Sequence, residues 1–394
     1  MQFSERTGWE SGENEWAEAL RRQRESGREL IDLTVSNPTA CGLGPLSTDV
    51  LGPLGHAGAL RYSPDPLGMT SAREAVAQYY REHGGVPIER LCLTTSTSEA
   101  YSFLFRLLCN PGDEILIGRP SYPLFDLLAR LDDVTLREYP MFYDPGAIAR
   151  DGGGWSIDLH ALESSISART RAVIVVHPNN PTGNYVSADE RRALRNLCAT
   201  HGIALIVDEV FLDYPIRVGE DHAGDQRSFA GEESGCLCFV LSGLSKICAL
   251  PQMKLSWIAA MGPAAVVAAA MERLEVIADT FLSVNAPTQF ALPAWLGARA
   301  ATQEHIRERL RANLEALDER LKGSLADRLN VEGGWTVVLR VPSTVEGEEF
   351  ALAAMERGVV VQPGTFYGLG AGRCVLSLLT RPEVWVQGLA LLPI

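Results

Sequence analysis

Lys246 stands in Gly243-Leu244-Ser245-Lys246, 38 residues after Asp208 and 66 after Asn180. A lysine amine condenses with aldehydes once it is held partly desolvated and unprotonated. A buried carboxylate facing a pyridine nitrogen keeps such a ring cationic and turns it into an electron sink, and an asparagine amide can donate to a phenolate oxygen on the same ring. One lysine, one aspartate and one asparagine in this order describe a built-in imine site, the chemistry of pyridoxal phosphate.

Each residue alone has a plainer reading. Asn180-Pro181-Thr182-Gly183 follows the β-rich run 173–176, and a turn accounts for its Asn, Pro and Gly by backbone preference. Asp208, however, ends the next strand, and a parallel sheet brings consecutive strand ends to one rim. Ser96-Thr97-Ser98 precedes a helix pattern opening with Glu99-Ala100. A simple N-cap explains it, yet hydroxyls and free amides at a helix start also cradle phosphate. Ser245 and Lys254 add a hydroxyl and a cation near Lys246. Tyr122, in Pro120-Ser121-Tyr122-Pro123, can lie against a ring face or simply pack. A Ser-Lys hydrolase using Ser242 or Ser245 lacks both GxSxG and the SxxK spacing. Leu241, Leu244, Ile247 and Leu250 surround Lys246 with apolar positions, which predicts burial of its alkyl stem.

The elements that must position these groups alternate. Between residues 90 and 285, β-rich runs at 91–95, 114–117, 135–139, 172–176, 204–207 and 238–241 are separated by helical patterns at 98–109, 122–131, 188–199 and 264–279. This predicts an α/β fold: right-handed crossovers, a mainly parallel sheet of the seven-stranded type flanked by helices, and ligands at the carboxyl ends of the strands. After Pro287 the texture changes to a helix over 303–324 and β-like runs at 335–340, 359–361 and 374–379, a small α+β lobe. An N-terminal helix over 16–26 and the extended 30–35 are assigned to it. The expected domains are therefore 48–286 for the large lobe and 1–47 with 287–394 for the small one.

The 394 residues exceed the usual ceiling for a single core, in keeping with two lobes. A net charge of -14 and a pI near 5.1 leave no general basic surface for nucleic acid. The polar, acidic start lacks an apolar signal region, and apolar runs such as 204–207 are far too short to span a bilayer, so no membrane association and a cytoplasmic location are expected. Eight cysteines without CxxC spacing read as buried reduced thiols, and no histidine pairing suggests a metal.

Taken together the residues resemble fold-type I pyridoxal phosphate enzymes of the class I/II aminotransferase family. The resemblance runs nearly end to end, through YSPDPLG at 62–68, TTSTSEA at 94–100, PGDEILIGRPSYPLF at 111–125, HPNNPTG at 177–183, VDEVF at 207–211, SGLSKICALP at 242–251, EGGW at 332–335 and QPGTFYG at 362–368. It implies that Lys246 forms the imine and then shuttles a proton, a catalytic role. It also implies that Asp208 holds the pyridinium, Asn180 the ring oxygen and Tyr122 the ring face, while Thr97, Ser98, Ser245, Lys254 and, less directly, Ser96 take the phosphate. Tyr62 resembles the tyrosine that family members send to the neighbouring subunit's phosphate, implying a homodimer with shared active sites.

Four positions depart from the family pattern. Phe211 stands where a tyrosine usually donates to the ring oxygen. Lys254 replaces an arginine, so a point charge replaces a bidentate fork. Ser256 replaces a glycine or alanine. Val375 takes the place of the arginine that normally captures the substrate α-carboxylate, leaving Arg373, two residues away on the same strand face, and Ser36 as substrate-side candidates. The expected activity is transfer of an amino group from an amino acid or amine to an oxo acid by a ping-pong cycle. A lyase or cyclase on the same fold is the nearest alternative, and a regulatory protein that binds the cofactor without turnover is a third.

Overall fold

The computed structural model describes residues 1–9, 14–44, 48–146, 153–216, 227–232, 234–342 and 346–394. The expected domain limit at 47/48 adjoins residues outside these. An N-terminal helix α1 (Glu15–Glu25) and a short strand β1 (Ile31–Asp32) lead into α2 (Thr70–Tyr80). The alternating region follows: β2 (Leu91–Thr94), α3 (Thr97–Leu108), β3 (Glu114–Arg119), α4 (Leu124–Leu131), β4 (Thr135–Asp144), β5 (Gly154–Ile157), α5 (Leu159–Ser164), β6 (Thr170–Val176), α6 (Ala188–His201), β7 (Ala204–Asp208), β8 (Cys238–Gly243), α7 (Leu244–Ile247), β9 (Ser256–Met261) and α8 (Ala264–Phe281). The chain ends with α9 (Ala286–Leu321), β10 (Asp327–Arg328), β11 (Thr336–Arg340), α10 (Gly347–Glu356), β12 (Val359–Val360), β13 (Gln362–Pro363), β14 (Arg373–Ser377) and α11 (Pro382–Leu391).

Strands β3, β6, β7 and β8 read as nearly unbroken apolar runs because helices cover both faces of the sheet they build. The sheet order is β2-β9-β8-β7-β6-β3-β4-β5. From β8 to β4 neighbours are parallel, while β9 runs antiparallel between β8 and β2, and β5 returns antiparallel along β4. The described sheet thus has eight strands where seven were expected, and β5 is the edge addition. The small lobe is a separate antiparallel sheet, β10-β11-β14-β13, with the parallel pair β1-β12 beside it.

Local chemistry sets the helix starts. Ser96 accepts the Glu99 N–H at 3.1 Å and Glu99 returns to the Thr95 N–H at 2.7 Å, anchoring α3 at the rim of the sheet. Ser187 and Glu190 form a full capping box on α6, and Gly202 closes that helix with φ +64°. Helix α9 begins 17 residues before the expected start at 303: Asn285 caps it by accepting the Thr288 N–H at 3.0 Å, Pro287 sits harmlessly in its first turn, and the helix continues past Pro293. The expected lobe boundary at 286/287 coincides with the first turn of α9. The side chains change core further on: Ala291, Leu292, Trp295 and Leu296 pack in the large lobe, and Ile306, Leu310, Leu314 and Leu317 in the small one.

Candidate active site

Asp208 ends β7, level with Val176 at the end of β6 and Leu241 near the end of β8. This register delivers three chain segments to one rim: the turn carrying Asn180, the aspartate itself, and the four-residue helix α7 that carries Lys246. A cavity of about 490 Å³ opens there. It is lined by Ser36, Ser96, Thr97, Ser98, Tyr122, Asn180, Asp208, Phe211, Ser245, Lys246 and Lys254, eleven residues singled out from sequence and scattered over more than 200 positions. Thr34, Tyr101, Ser256, Trp335, Thr336, Gln362 and Tyr367 also line it.

Lys246 places its ammonium against two aromatic rings that touch each other, 4.7 Å from the Trp335 ring centre and 5.4 Å from that of Phe211. Burial pushes the Lys246 amine down to about 8, with Asp208 opposing the shift. Its backbone is held as well, since the Tyr214 hydroxyl donates to the Lys246 carbonyl. Gly243, directly before α7, is paired with Ser256 across β8 and β9, and a Cβ on it would meet the Ser256 Oγ at 2.2 Å. The lysine turn therefore lies against β9 at a distance only glycine permits.

Burial pushes the Asp208 carboxyl up to about 6, against donors that favour the ionised form. The Val210 N–H reaches Oδ1 at 3.1 Å and the Tyr101 hydroxyl reaches Oδ2 at 3.0 Å. The half-buried Asn180 carries a buried Oδ1 with no hydrogen-bond partner in the protein. A polar atom left unpaired at that depth is costly unless something else meets it, and here it borders a cavity. The turn holding Asn180 is itself rigid: Asn179 donates to Thr182 Oγ1 at 2.7 Å, Thr182 to Asn184 Oδ1 at 2.6 Å, and Thr336 to the Pro181 carbonyl at 2.9 Å.

At the other end, the start of α3 and Ser245 bring hydroxyls and free amides, and Lys254, in a left-handed conformation at φ +51°, brings a cation. That donor set suits a phosphate. Tyr122 is 42% exposed at the mouth, where its loop is tied to the small lobe by the Ser121 N–H donating to the Tyr367 carbonyl at 2.9 Å.

Three sequence candidates are not brought into this cavity. Tyr62 is 81% exposed and lines a second cavity of about 410 Å³ formed by residues 59–69 and 278–289. Val375 is buried among Trp155, Leu329, Val338, Tyr367 and Leu369. Arg373 turns outward, its guanidinium donating to the Ala371 carbonyl at 2.9 Å, so it does not take up the position expected of a substrate-binding arginine. Sequence reading missed Tyr101, Trp335, Gln362 and Tyr367. For Tyr101 a signal existed: it lies four residues after Thr97 and so shares a helix face with the phosphate candidates. The other three come from the small lobe, where Gln362 accepts from the Tyr367 hydroxyl at 2.5 Å; they lie inside EGGW and QPGTFYG, segments that carry the family resemblance but from which no site role was drawn.

The chain is also similar in sequence and fold to known proteins. An alanine aminotransferase of Mycobacterium tuberculosis is 29% identical over 291 residues, 72% of this chain. The matching stretch spans 64% of that relative's length, slightly under two thirds. A glutamate-pyruvate aminotransferase of Escherichia coli is 26% identical over 288 residues, covering 73% of this chain and 68% of its own. The solved structure of an alanine aminotransferase from Pyrococcus furiosus superposes with a TM-score of 0.85 at 22% identity over 99% of this chain and 98% of its own, a likeness of fold. The profile described as aminotransferase class I and II matches residues 31–384, nearly the whole length, and the chain belongs to that family.

Proposed function

We propose that this protein is a pyridoxal phosphate-dependent aminotransferase that moves an amino group from an amino acid or amine to an oxo acid in two half-reactions. The observation that carries the reading is Lys246: a half-buried lysine, its amine pushed down to about 8, sharing one cavity with Asp208 and Asn180. The names of the aligned relatives, alanine and glutamate-pyruvate aminotransferases, support an amino acid and an oxo acid as the exchanged pair.

The residues fit the cofactor on their own chemistry. Thr97, Ser98, Ser245 and Lys254, with Ser96 behind them, would hold the phosphate. Asp208 would meet the ring nitrogen, Asn180 the ring oxygen and Tyr122 the ring face. Phe211 lacks a hydroxyl and leaves Asn180 as the ring oxygen's donor. When bound, the cofactor supplies an electron sink for charge developing at the substrate Cα. Lys246 then holds and moves one proton at Nζ, which requires an amine whose affinity for protons lies near neutrality. The rings of Trp335 and Phe211 lie against that nitrogen at 4.7 and 5.4 Å. We further propose a homodimer: the exposed Tyr62 and the cavity beneath it suit a second copy of this chain, with Tyr62 completing that copy's phosphate site.

The visible spectrum of the protein loaded with pyridoxal phosphate, recorded before and after adding single amino acids or simple amines, tests the function. A cofactor band that is lost with one class of donor and restored by an oxo acid is expected, with Lys246→Ala inert. Release of ammonia without any oxo-acid acceptor would shift the assignment to elimination on the same fold. Failure of the wild type to bind the cofactor would overturn it.

A further inference from the structure

Tyr101 lies on α3, one helical turn after Thr97, with its ring 2% exposed and packed edge-on against Phe125 at 5.0 Å and obliquely against Phe105 at 6.0 Å. A phenylalanine would satisfy that packing. What the tyrosine adds is one buried hydroxyl, and such a group is expensive to bury unpaired. Its hydrogen bond, at 3.0 Å, goes to Asp208 Oδ2. The other oxygen takes the Val210 N–H at 3.1 Å. The carboxylate is thus gripped at both oxygens, from α3 on one side and from its own strand end on the other, and its torsion about Cβ–Cγ is fixed.

We propose that Tyr101 is a positioning residue for Asp208: its hydroxyl fixes the orientation of the carboxylate toward the cavity and keeps it ionised for the ring nitrogen of the cofactor. The proposal rests on the reading that the cavity holds pyridoxal phosphate. Its physical basis is independent of that reading. A hydroxyl donating to a carboxylate stabilises the charged form, and in a buried site it offsets the burial that favours the neutral acid. The tie also links two binding elements, because α3 offers its first turn to the phosphate and its second to the aspartate. A shift of α3 would disturb both ends of the ring together.

Tyr101→Phe tests this, with Asp208→Asn as the reference. In the cofactor-free protein, the carboxyl band of Asp208, identified by infrared difference against Asp208→Asn, should titrate at a pH higher by about one unit in Tyr101→Phe than in wild type. In the loaded protein the dissociation constant for pyridoxal phosphate should rise five- to tenfold, and kcat should fall about tenfold while KM for the donor stays within twofold. The circular dichroism spectrum below the thermal transition should be unchanged, since the ring packing is retained. Adding Tyr101→Phe to Asp208→Asn should change cofactor affinity no further. An unshifted carboxyl titration with unchanged cofactor affinity would overturn the proposal, as would an equal loss of affinity in the Asp208→Asn background. The infrared titration is read without cofactor, so a wild type that failed to bind pyridoxal phosphate would defeat the functional reading and leave the Tyr101–Asp208 result standing.

Discussion

At Lys246 two effects oppose each other and their sizes decide the outcome. The Trp335 and Phe211 rings, at 4.7 and 5.4 Å, and the neighbouring Asp208 favour the ammonium. Ring contacts of this kind are worth about 0.5–2 kcal/mol. Withdrawing an ion from water costs several kcal/mol even after relaxation, and this greater cost lowers the amine from 10.5 to about 8. A depressed lysine is neutral over a wider range, so the reactive amine appears at lower pH than on an exposed lysine. On mixing the cofactor-free protein with pyridoxal phosphate, the rate of appearance of the visible band should climb with pH and level off above about 8. A rate that kept climbing tenfold per pH unit beyond 9 would show that the rings and Asp208, rather than burial, govern this nitrogen. The same environment shows how a lysine amine is depressed without a basic neighbour: among the cavity-lining residues the other cation is Lys254, and the charge that acts on Lys246 is the anion Asp208.

The elements add constraints that no single residue carries. The junction of β8 and α7 works only because Gly243 and Ser256 stand opposite each other. A Cβ on residue 243 would lie 2.2 Å from Ser256 Oγ, 2.8 Å from its Cβ and 2.9 Å from its Cα, and the last is backbone that no rotamer can move. Gly243→Ala should therefore lower cofactor affinity at least tenfold and stability by roughly 1–3 kcal/mol, the usual effect of overpacking. Adding Ser256→Gly should recover part of both losses, because it removes the two closer contacts and leaves the third. Dissociation constants and thermal midpoints of the four proteins in the cycle would show the coupling, and strictly additive effects would refute it. This junction also shows what the chain reveals before folding. The parallel core strands were legible because burial on both faces demands continuous apolar runs, and Lys246, Asp208 and Asn180 were legible because their neighbours impose recognisable spacing. Strand β9, with Ala259 and Ala260 at its centre, carries too little β-branched character to stand out, and β5 is a four-residue edge beside a glycine-rich stretch. The first half of α9 was hidden by Pro287, Pro293 and Gly297, which read locally as breakers, although Asn285 caps the helix and tertiary packing carries it through. Tyr101 and Trp335 carry no assigned role at the level of sequence. Their value comes from contacts across 107 positions to Asp208 and to Lys246 from the other lobe, and local patterns do not register such pairings.

Across the whole molecule, α9 makes the two lobes a mechanical unit. Its 36 residues extend roughly 54 Å at the standard rise. One half buries Leu292, Trp295 and Leu296 in the large lobe, and the other buries Ile306, Leu310, Leu314 and Leu317 in the small one. Between them Gln303 donates to the Ile247 carbonyl at 3.2 Å and to Asp213 at 3.0 Å, and Arg307 donates to the Asp213 carbonyl at 3.2 Å. The middle of the helix thus grips the turn that carries Lys246, so loosening either half loosens that lysine. Two-lobed proteins often unfold in stages, but here neither core can dissolve without releasing a helix that the other needs. Leu292→Ala and Leu310→Ala, both fully buried positions in different cores, should each cost roughly 2–5 kcal/mol. Each should displace a single calorimetric peak without splitting it, and cofactor release should follow the same midpoint. If Leu310→Ala instead produced an early transition that left the large lobe folded and cofactor-bound, α9 would be a tether between independent lobes, and the grip of Gln303 on the lysine turn would be incidental to holding Lys246 in place.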